Sequence, residues 1–224
     1  FYDGNGDGVY NPIDNGNGQW DLDEDKPDIL GDETVWTVYW DGKDSPLRRY
    51  TDVPPLGIEV RQSVFAFESS GAIGNLIFVR YRFKYVGLGE PNEPAQLDSV
   101  LFGVWADVDL GNANDDLVGS DIERNSGYTY NNGSDTEYGS NPPCYMIDFF
   151  SGPVDFISGV TYVDNNGNSA YDDGIDTPLD TAYSYRGQTI GVKTIPGAKN
   201  LPIASFIQYI NGDAALNDPN TKEH

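Results

Sequence analysis

The chain has 224 residues and a formal net charge of −23, with 36 Asp and Glu against 13 Lys and Arg. That sign argues against nucleic acid and anionic membrane surfaces as partners, and no apolar run reaches the roughly 20 residues needed to insert across a bilayer. One cysteine, Cys144, leaves no intrachain disulfide; one histidine, His224 at the end of the chain, leaves Ser/His and Cys/His mechanisms without a base inside the fold and excludes histidine- or cysteine-rich zinc sites by count.

Charge is clustered rather than mixed. Residues 1–32 hold Asp3, Asp7, Asp14, Asp21, Asp23, Glu24, Asp25, Asp28 and Asp32 against a single Lys26. Within them "DGNGDGVYNPID" sets Asp3, Asn5 and Asp7 on alternate residues, then Gly8, and closes with Asp14. Oxygen ligands at loop positions 1, 3 and 5, a Gly at 6 and a carboxylate at 12 suit calcium (Ca2+), with the Val9 carbonyl at 7 and Asn11 at 9. A second, overlapping loop places Asn15, Asn17, the Gln19 carbonyl, Asp21 and Glu24 at positions 3, 5, 7, 9 and 12. Ile13 stands at its position 1, so Asp14 must substitute or be shared. Dockerin modules carry similar loops, but the glycines of "NGNGQW" disfavour the helix that would follow. The expected organisation is an acidic calcium-loop segment over 1–32 and a β domain over 33–224.

Beyond residue 32 strand signals dominate, and 26 Gly and 14 Pro punctuate them before any helical period develops. Strands are expected at 33–41, at 57–69 and within "GNLIFVRYRFKYVG". In the last, Ile77, Val79, Tyr81, Phe83 and Tyr85 share one face, and Phe78, Arg80, Arg82 and Lys84 the other, as in a half-buried antiparallel strand. Arg61 and the three basic residues of that strand are read as pairing with Glu59 and other acids. A further strand is expected at 97–109. It runs into "DVDLGNANDDLVGSD", where Asp107, Asp109, Asp115, Asp116 and Asp121 converge on one strand end and call for a cation.

Later strands are expected at 143–150, 158–164, 188–195 and 204–210. The loop from Asp164 offers Asp164, Asn166 and Asn168 at positions 1, 3 and 5, the Ala170 carbonyl at 7 and Asp172 at 9. Ser169 replaces the usual Gly, and Asp173 or Asp176 stands in at position 12. The fold class that results is all-β: an antiparallel β-sandwich or jelly-roll-like domain with calcium-binding acidic loops.

The ordered segments "GDETVWTVYWD", "PLGIEVRQSVFAF", "IFVRYRFKYVG", "FGVWADVDLGNANDDLVGSDIERNSGYTYN", "YGSNPPCYMIDFFSGP" and "LPIASFIQYINGD" cover nearly the whole chain. Together they resemble large secreted proteins exported by the type IX secretion route, which carry a C-terminal sorting domain. The resemblance implies an extracellular or cell-surface location and no reaction. Similar members often have Cys where this chain has Ser120, so thiol chemistry at that loop is not expected. The start inside motif sequence at Phe1 and the end at "DPNTKEH" are read as those of a piece of a longer, processed protein.

The expected function is therefore a non-catalytic, calcium-stabilised structural module of a surface protein or extracellular filament. It would associate with copies of itself or with other surface proteins, and "ASFIQYI" (204–210) is the strand expected to reach a neighbour. The alternative is a carbohydrate-binding module that stacks glycans on Trp20, Trp36, Trp40 or Trp105. A glycosidase would need a carboxylate pair in a cleft, and nothing in the sequence singles one out.

Overall fold

The computed structural model describes residues 3–7, 9–10, 16, 24–25, 27, 29–48, 51, 53–185 and 191–208. The fold is all-β, antiparallel and sandwich-like in class. Among the described residues twelve strands run in chain order: β1 (Glu33–Trp40), β2 (Ile58–Ala66), β3 (Ile77–Tyr85), β4 (Asp116–Asp121), β5 (Ser126–Asn131), β6 (Tyr145–Asp148), β7 (Val154–Asp155), β8 (Tyr162–Val163), β9 (Thr177–Pro178), β10 (Thr181–Tyr185), β11 (Val192–Pro196) and β12 (Lys199–Asn200). Helical geometry among the described residues is confined to 3₁₀ turns at Ser45–Leu47 and Ala72–Asn75, and no helix is long and apolar enough to cross a membrane.

The chain divides into two compact units, Phe1–Ser99 with Tyr185–Lys193, and Val100–Ser184 with Thr194–His224. This boundary is of another kind from the one expected at 32/33, which separates an acidic segment from a β domain.

In the first unit β1, β2 and β3 form one sheet in that order. The register aligns Tyr39, Val60 and Phe83 in one row and Val38, Arg61 and Arg82 in the next. Because side chains alternate along a strand, one face carries Val35, Thr37, Tyr39, Val60, Gln62, Val64, Val79, Tyr81 and Phe83. The other carries Thr34, Trp36, Val38, Trp40, Glu59, Arg61, Ser63, Phe65, Phe78, Arg80, Arg82 and Lys84. Two carboxylates pin the ends of β1 to its neighbours. Asp41 accepts from the backbone N–H of Leu56 (2.6 Å) and Ile58 (2.7 Å), and Asp32 from Glu68 (2.7 Å).

The alternation expected in β3 is present, and the face that is half-buried is the mixed one. Ile77, Val79, Tyr81 and Phe83 are exposed, while Phe78, Arg80 and Arg82 on the polar side are half-buried. The reason is the packing at one end of that mixed face. Phe65 stacks on Phe78 with centroids 5.1 Å apart, and Phe67 meets both rings edge-on. Leu30, fully buried, donates its N–H to Thr34 Oγ1, while the Tyr185 hydroxyl donates to the Leu30 carbonyl and Arg80 to the Tyr185 carbonyl.

The second unit holds the sheet β4-β5-β6 and the ribbons β8-β9 and β7-β12, and β10 pairs with β11. Its core is small. Tyr162 is buried, and Tyr171 lies between it and Phe156, with centroids 5.4 Å from each. Gly197 is required here, because a Cβ would stand 2.3 Å from the Tyr171 ring.

Two of the expected strands are not among those of the described residues. Residues 101–109 lie outside the strands of the described residues, and Leu101, Phe102, Val104 and Trp105 are exposed. Alternation supplies a face, but a strand also needs a neighbour to complete its ladder. Residues 204–208 likewise lie outside any strand, with 209 and 210 beyond the described residues; the Phe206 ring sits against Gly127 of β5, 2.8 Å from where a Cβ would be.

Candidate metal centre and ring platform

The N-terminal loop folds on its own oxygen atoms. Asp3 Oδ1 accepts from Gly6 N (2.6 Å), Asn5 Oδ1 from Asp7 N (2.9 Å) and Asp7 Oδ1 from Val9 N (2.8 Å). These are Asx turns, in which a short side chain replaces a backbone acceptor. Gly6, at φ +77°, supplies the left-handed step; Gly8 lies outside the described residues. The loop is then tied to the far end of the acidic segment by Gly4 N, which donates to Asp25 Oδ1 (3.0 Å).

Asp3, Asp7 and Asp25 consequently bring one carboxylate oxygen each within 4.8 Å of one another. Asp25 is 2% exposed and Asp7 open to solvent. Sequence spacing pointed to Asp3 and Asp7 but not to Asp25, which no loop period connects to them. Glu24 is buried beside Asp25 and is not one of the three; Val9 is exposed. Asn11, Asp14, Asn15, Asn17, Gln19 and Asp21 lie outside the described residues. No other set of three or more His, Cys, Asp or Glu comes together in this way among the described residues.

The loop from Asp164 also closes on itself. Asp164 accepts from Gly167 N (2.6 Å) and Ser169 N (2.8 Å), and these N–H groups, Ser169's foremost, hold its carboxyl below the usual Asp range. Asn168 Oδ1 accepts from Ala170 N (2.8 Å). Asn166 and Asn168 each donate a side-chain N–H to Asp172 Oδ2 at 2.7 Å, so three of the expected ligands meet at one point. Ser169 takes φ +65°, the conformation that the expected Gly would have adopted freely. Buried Asp176 closes the loop by accepting from Asn165 N and Asp172 N, both at 2.8 Å; Asp173 is exposed.

The third cluster is dispersed. Asp107 and Asp109 are exposed in the stretch outside the strands of the described residues. Asp115 accepts from Asn131 Nδ2 (3.1 Å) and Asp116 from Leu110 N (2.9 Å) at one end of β4. Asp121 stands at the other end of that six-residue strand, about 17 Å away at strand rise, bonded to Arg124. The Arg124 side-chain bond lowers the Asp121 pKa.

The carboxylate that organises this region is Asp135, which spacing did not single out. It is buried and accepts from Asn112 N (3.0 Å), Glu137 N (2.7 Å) and Tyr138 N (2.7 Å); the Asn112 bond leads in lowering its pKa. A Cβ on Gly111 would stand 2.4 Å from its Oδ1.

Of the expected ring platform, Trp36 and Trp40 share the mixed face of the β1–β3 sheet and are 60% and 41% exposed. Trp105 is exposed in the 101–109 stretch, outside the strands of the described residues, and Trp20 is outside the described residues. Compared with family models, with curated proteins and with solved structures, the chain matches none.

Proposed function

We propose that this chain is a non-catalytic, calcium-stabilised β module of a cell-surface protein or extracellular filament, which associates with copies of itself. The observation that carries the reading is the meeting of Asp3, Asp7 and Asp25, one of them buried. Three carboxylate oxygens within 4.8 Å of one another repel, and a cation between them would relieve that repulsion. Calcium accepts about six to eight oxygens at flexible angles, more than three carboxylates and a few carbonyls overfill. The loop at Asp164 supports the same reading: it gathers the oxygen-bearing side chains of Asp164, Asn166, Asn168 and Asp172, with both Asn amides reaching Asp172 Oδ2. The extracellular setting rests on the resemblance to type IX-exported proteins.

Calorimetric titration of the full chain with calcium tests this. Micromolar or tighter binding is expected, weakened about tenfold or more by Asp25→Asn. With free calcium at 100 times Kd, stability should rise by about 2.7 kcal/mol. No heat of binding, together with a melting temperature indifferent to exhaustive chelation, would exclude the reading. A second reading, carbohydrate binding, is favoured by a separate observation, the exposed indoles of Trp36 and Trp40.

A further inference from the structure

We infer that Asn132 is a site of self-modification: its side chain cyclises onto the Gly133 nitrogen and reopens with water to aspartate and isoaspartate, while the fold holds the same dipeptide unreactive at Asn5 and Asn166. This chemistry requires neither calcium nor a glycan. In an Asn-Gly pair the glycine, having no Cβ, lets its main-chain nitrogen approach the preceding side-chain carbonyl closely. A solvent base takes the glycine N–H proton, the nitrogen attacks Asn Cγ, and the Cγ–Nδ2 bond breaks with loss of ammonia, which takes its proton from water. Water then opens the cyclic imide. Opening at Cγ gives aspartate; opening at the main-chain carbonyl gives isoaspartate, whose main chain runs through Cβ and Cγ.

The chain holds six Asn-Gly pairs, and at Asn5, Asn132 and Asn166 both residues are described. All three asparagines are exposed, so access does not separate them; hydrogen bonding does. At Asn5 the attacking nitrogen is held, because Gly6 N donates to Asp3 Oδ1 at 2.6 Å. Both ends of the Asn5 amide are engaged as well, Nδ2 donating to Asp7 Oδ2 (3.1 Å) and Oδ1 accepting from Asp7 N (2.9 Å). The arrangement repeats at Asn166. Gly167 N donates to Asp164 Oδ1 at 2.6 Å, Asn166 Nδ2 donates to Asp172 Oδ2 (2.7 Å), and Asn166 Oδ1 accepts from Asn168 N (3.1 Å). In each loop a carboxylate two residues before the Asn opposes loss of the glycine proton, and an amide fixed at both ends cannot turn its Cγ to the nitrogen.

Asn132 has neither restraint. Asn131 makes the last pair of β5 with β4, opposite Asp116, and residues 132–134 leave the ladder as an exposed bend. Neither the Asn132 side chain nor Gly133 N has a hydrogen-bond partner among the described residues. Nothing stands within 4 Å of where a Gly133 Cβ would be, and its φ of +128° is one that glycine adopts readily and other residues do not. The product adds a negative charge to a chain already at −23 and, as isoaspartate, lengthens the main chain three residues before the buried Asp135.

The test is peptide mapping of the full chain by mass spectrometry after incubation at mildly alkaline pH, folded and in parallel in urea. Digestion in weak acid halts the reaction, and an isoaspartyl methyltransferase assigns the isoaspartate. In the folded chain Asn132 is expected to convert about tenfold or more faster than Asn5 or Asn166, in proportion to hydroxide. In urea the three rates should converge. Asp164→Ala, which frees Gly167 N, should raise conversion at Asn166 towards that of Asn132, and Asn132→Gln should leave position 132 unmodified. Equal conversion of the three in the folded chain, or an Asn132 still intact when the others have converted, would overturn the proposal. So would the same ranking in urea, since neighbouring sequence rather than the fold would then decide it.

Discussion

A carboxylate in this chain is first of all a backbone acceptor. Asp3, Asp7, Asp25, Asp32, Asp41, Asp116, Asp135, Asp164 and Asp176 each take an N–H from a loop or strand end. That use explains much of the acidity without a cation, and it is compatible with one, because each carboxylate oxygen has two lone pairs. It also makes stability sensitive to acid in a defined direction. Asp135 and Asp164 have folded pKa values below the ordinary one, so the unfolded chain takes up protons first as pH falls. Their contribution is full above the usual Asp value of about 3.9 and is lost as pH falls through the lowered folded values. Thermal melts from neutral pH to below 3 should therefore fall more steeply for the parent chain than for Asp135→Asn/Asp164→Asn, which starts lower but has two fewer groups to titrate. Parallel curves would mean that these two bonds do not couple to folding.

At the scale of the strand, the β1–β3 sheet depends on a close approach between two glycines. Gly57 O accepts from Val86 N (2.8 Å) and Gly87 N (3.1 Å), and a Cβ on Gly57 would come within 2.6 Å of the Gly87 carbonyl carbon. Gly57 also has φ +74°, which costs an L-residue about 1–2 kcal/mol by itself. Gly57→Ala should thus destabilise by at least about 1–2 kcal/mol in urea unfolding, and an unchanged midpoint would show that the contact can relax at no cost. The same sheet was the most legible part of the sequence. Strand signals located β1, β2 and β3, and period-two alternation assigned the side chains of β3 to their faces. It did not tell which face would be covered, since that depends on Leu30 and Tyr185, distant in sequence. Alternation alone also suggested a strand at 97–109 where no neighbour pairs among the described residues. Conversely, β4 and β5, with their Asp, Gly, Ser and Asn, are not among the expected strands, although strand pairing holds them from Asp116↔Asn131 to Asp121↔Ser126. The site divides in the same way: local spacing found Asp3, Asp7 and the Asp164 loop, whereas Asp25 and Asp135 act through contacts 21 and 23 residues away.

For the whole molecule the governing quantity is charge. At −23, two copies repel one another at any separation that salt does not screen, and attraction must come from apolar area or from shared cations. Both are at hand. Val35 (61% exposed), Tyr39, Val79, Tyr81 and Phe83 leave the apolar face of the β1–β3 sheet open, and β1 and β3 are its edge strands, each with one side outside the sheet's own ladder. Calcium bound at the acidic loops lowers the repulsion without altering that face. Magnesium, which keeps more of its water and accepts fewer protein oxygens, should substitute poorly. Sedimentation velocity is therefore expected to show a monomer after chelation and a concentration-dependent increase in size in millimolar calcium, reversed by chelator and not reproduced by magnesium at equal ionic strength. Val79→Lys/Tyr81→Lys should abolish the increase while leaving calcium binding intact, because both residues lie on the apolar face and neither is among the carboxylates that meet near Asp25. A chain that remains monomeric in calcium at every concentration would reduce the proposed function to that of a solitary module. An increase that survives the double Lys variant would place the contact on the acidic loops themselves, with the cation as the bond between copies rather than the neutraliser of their charge.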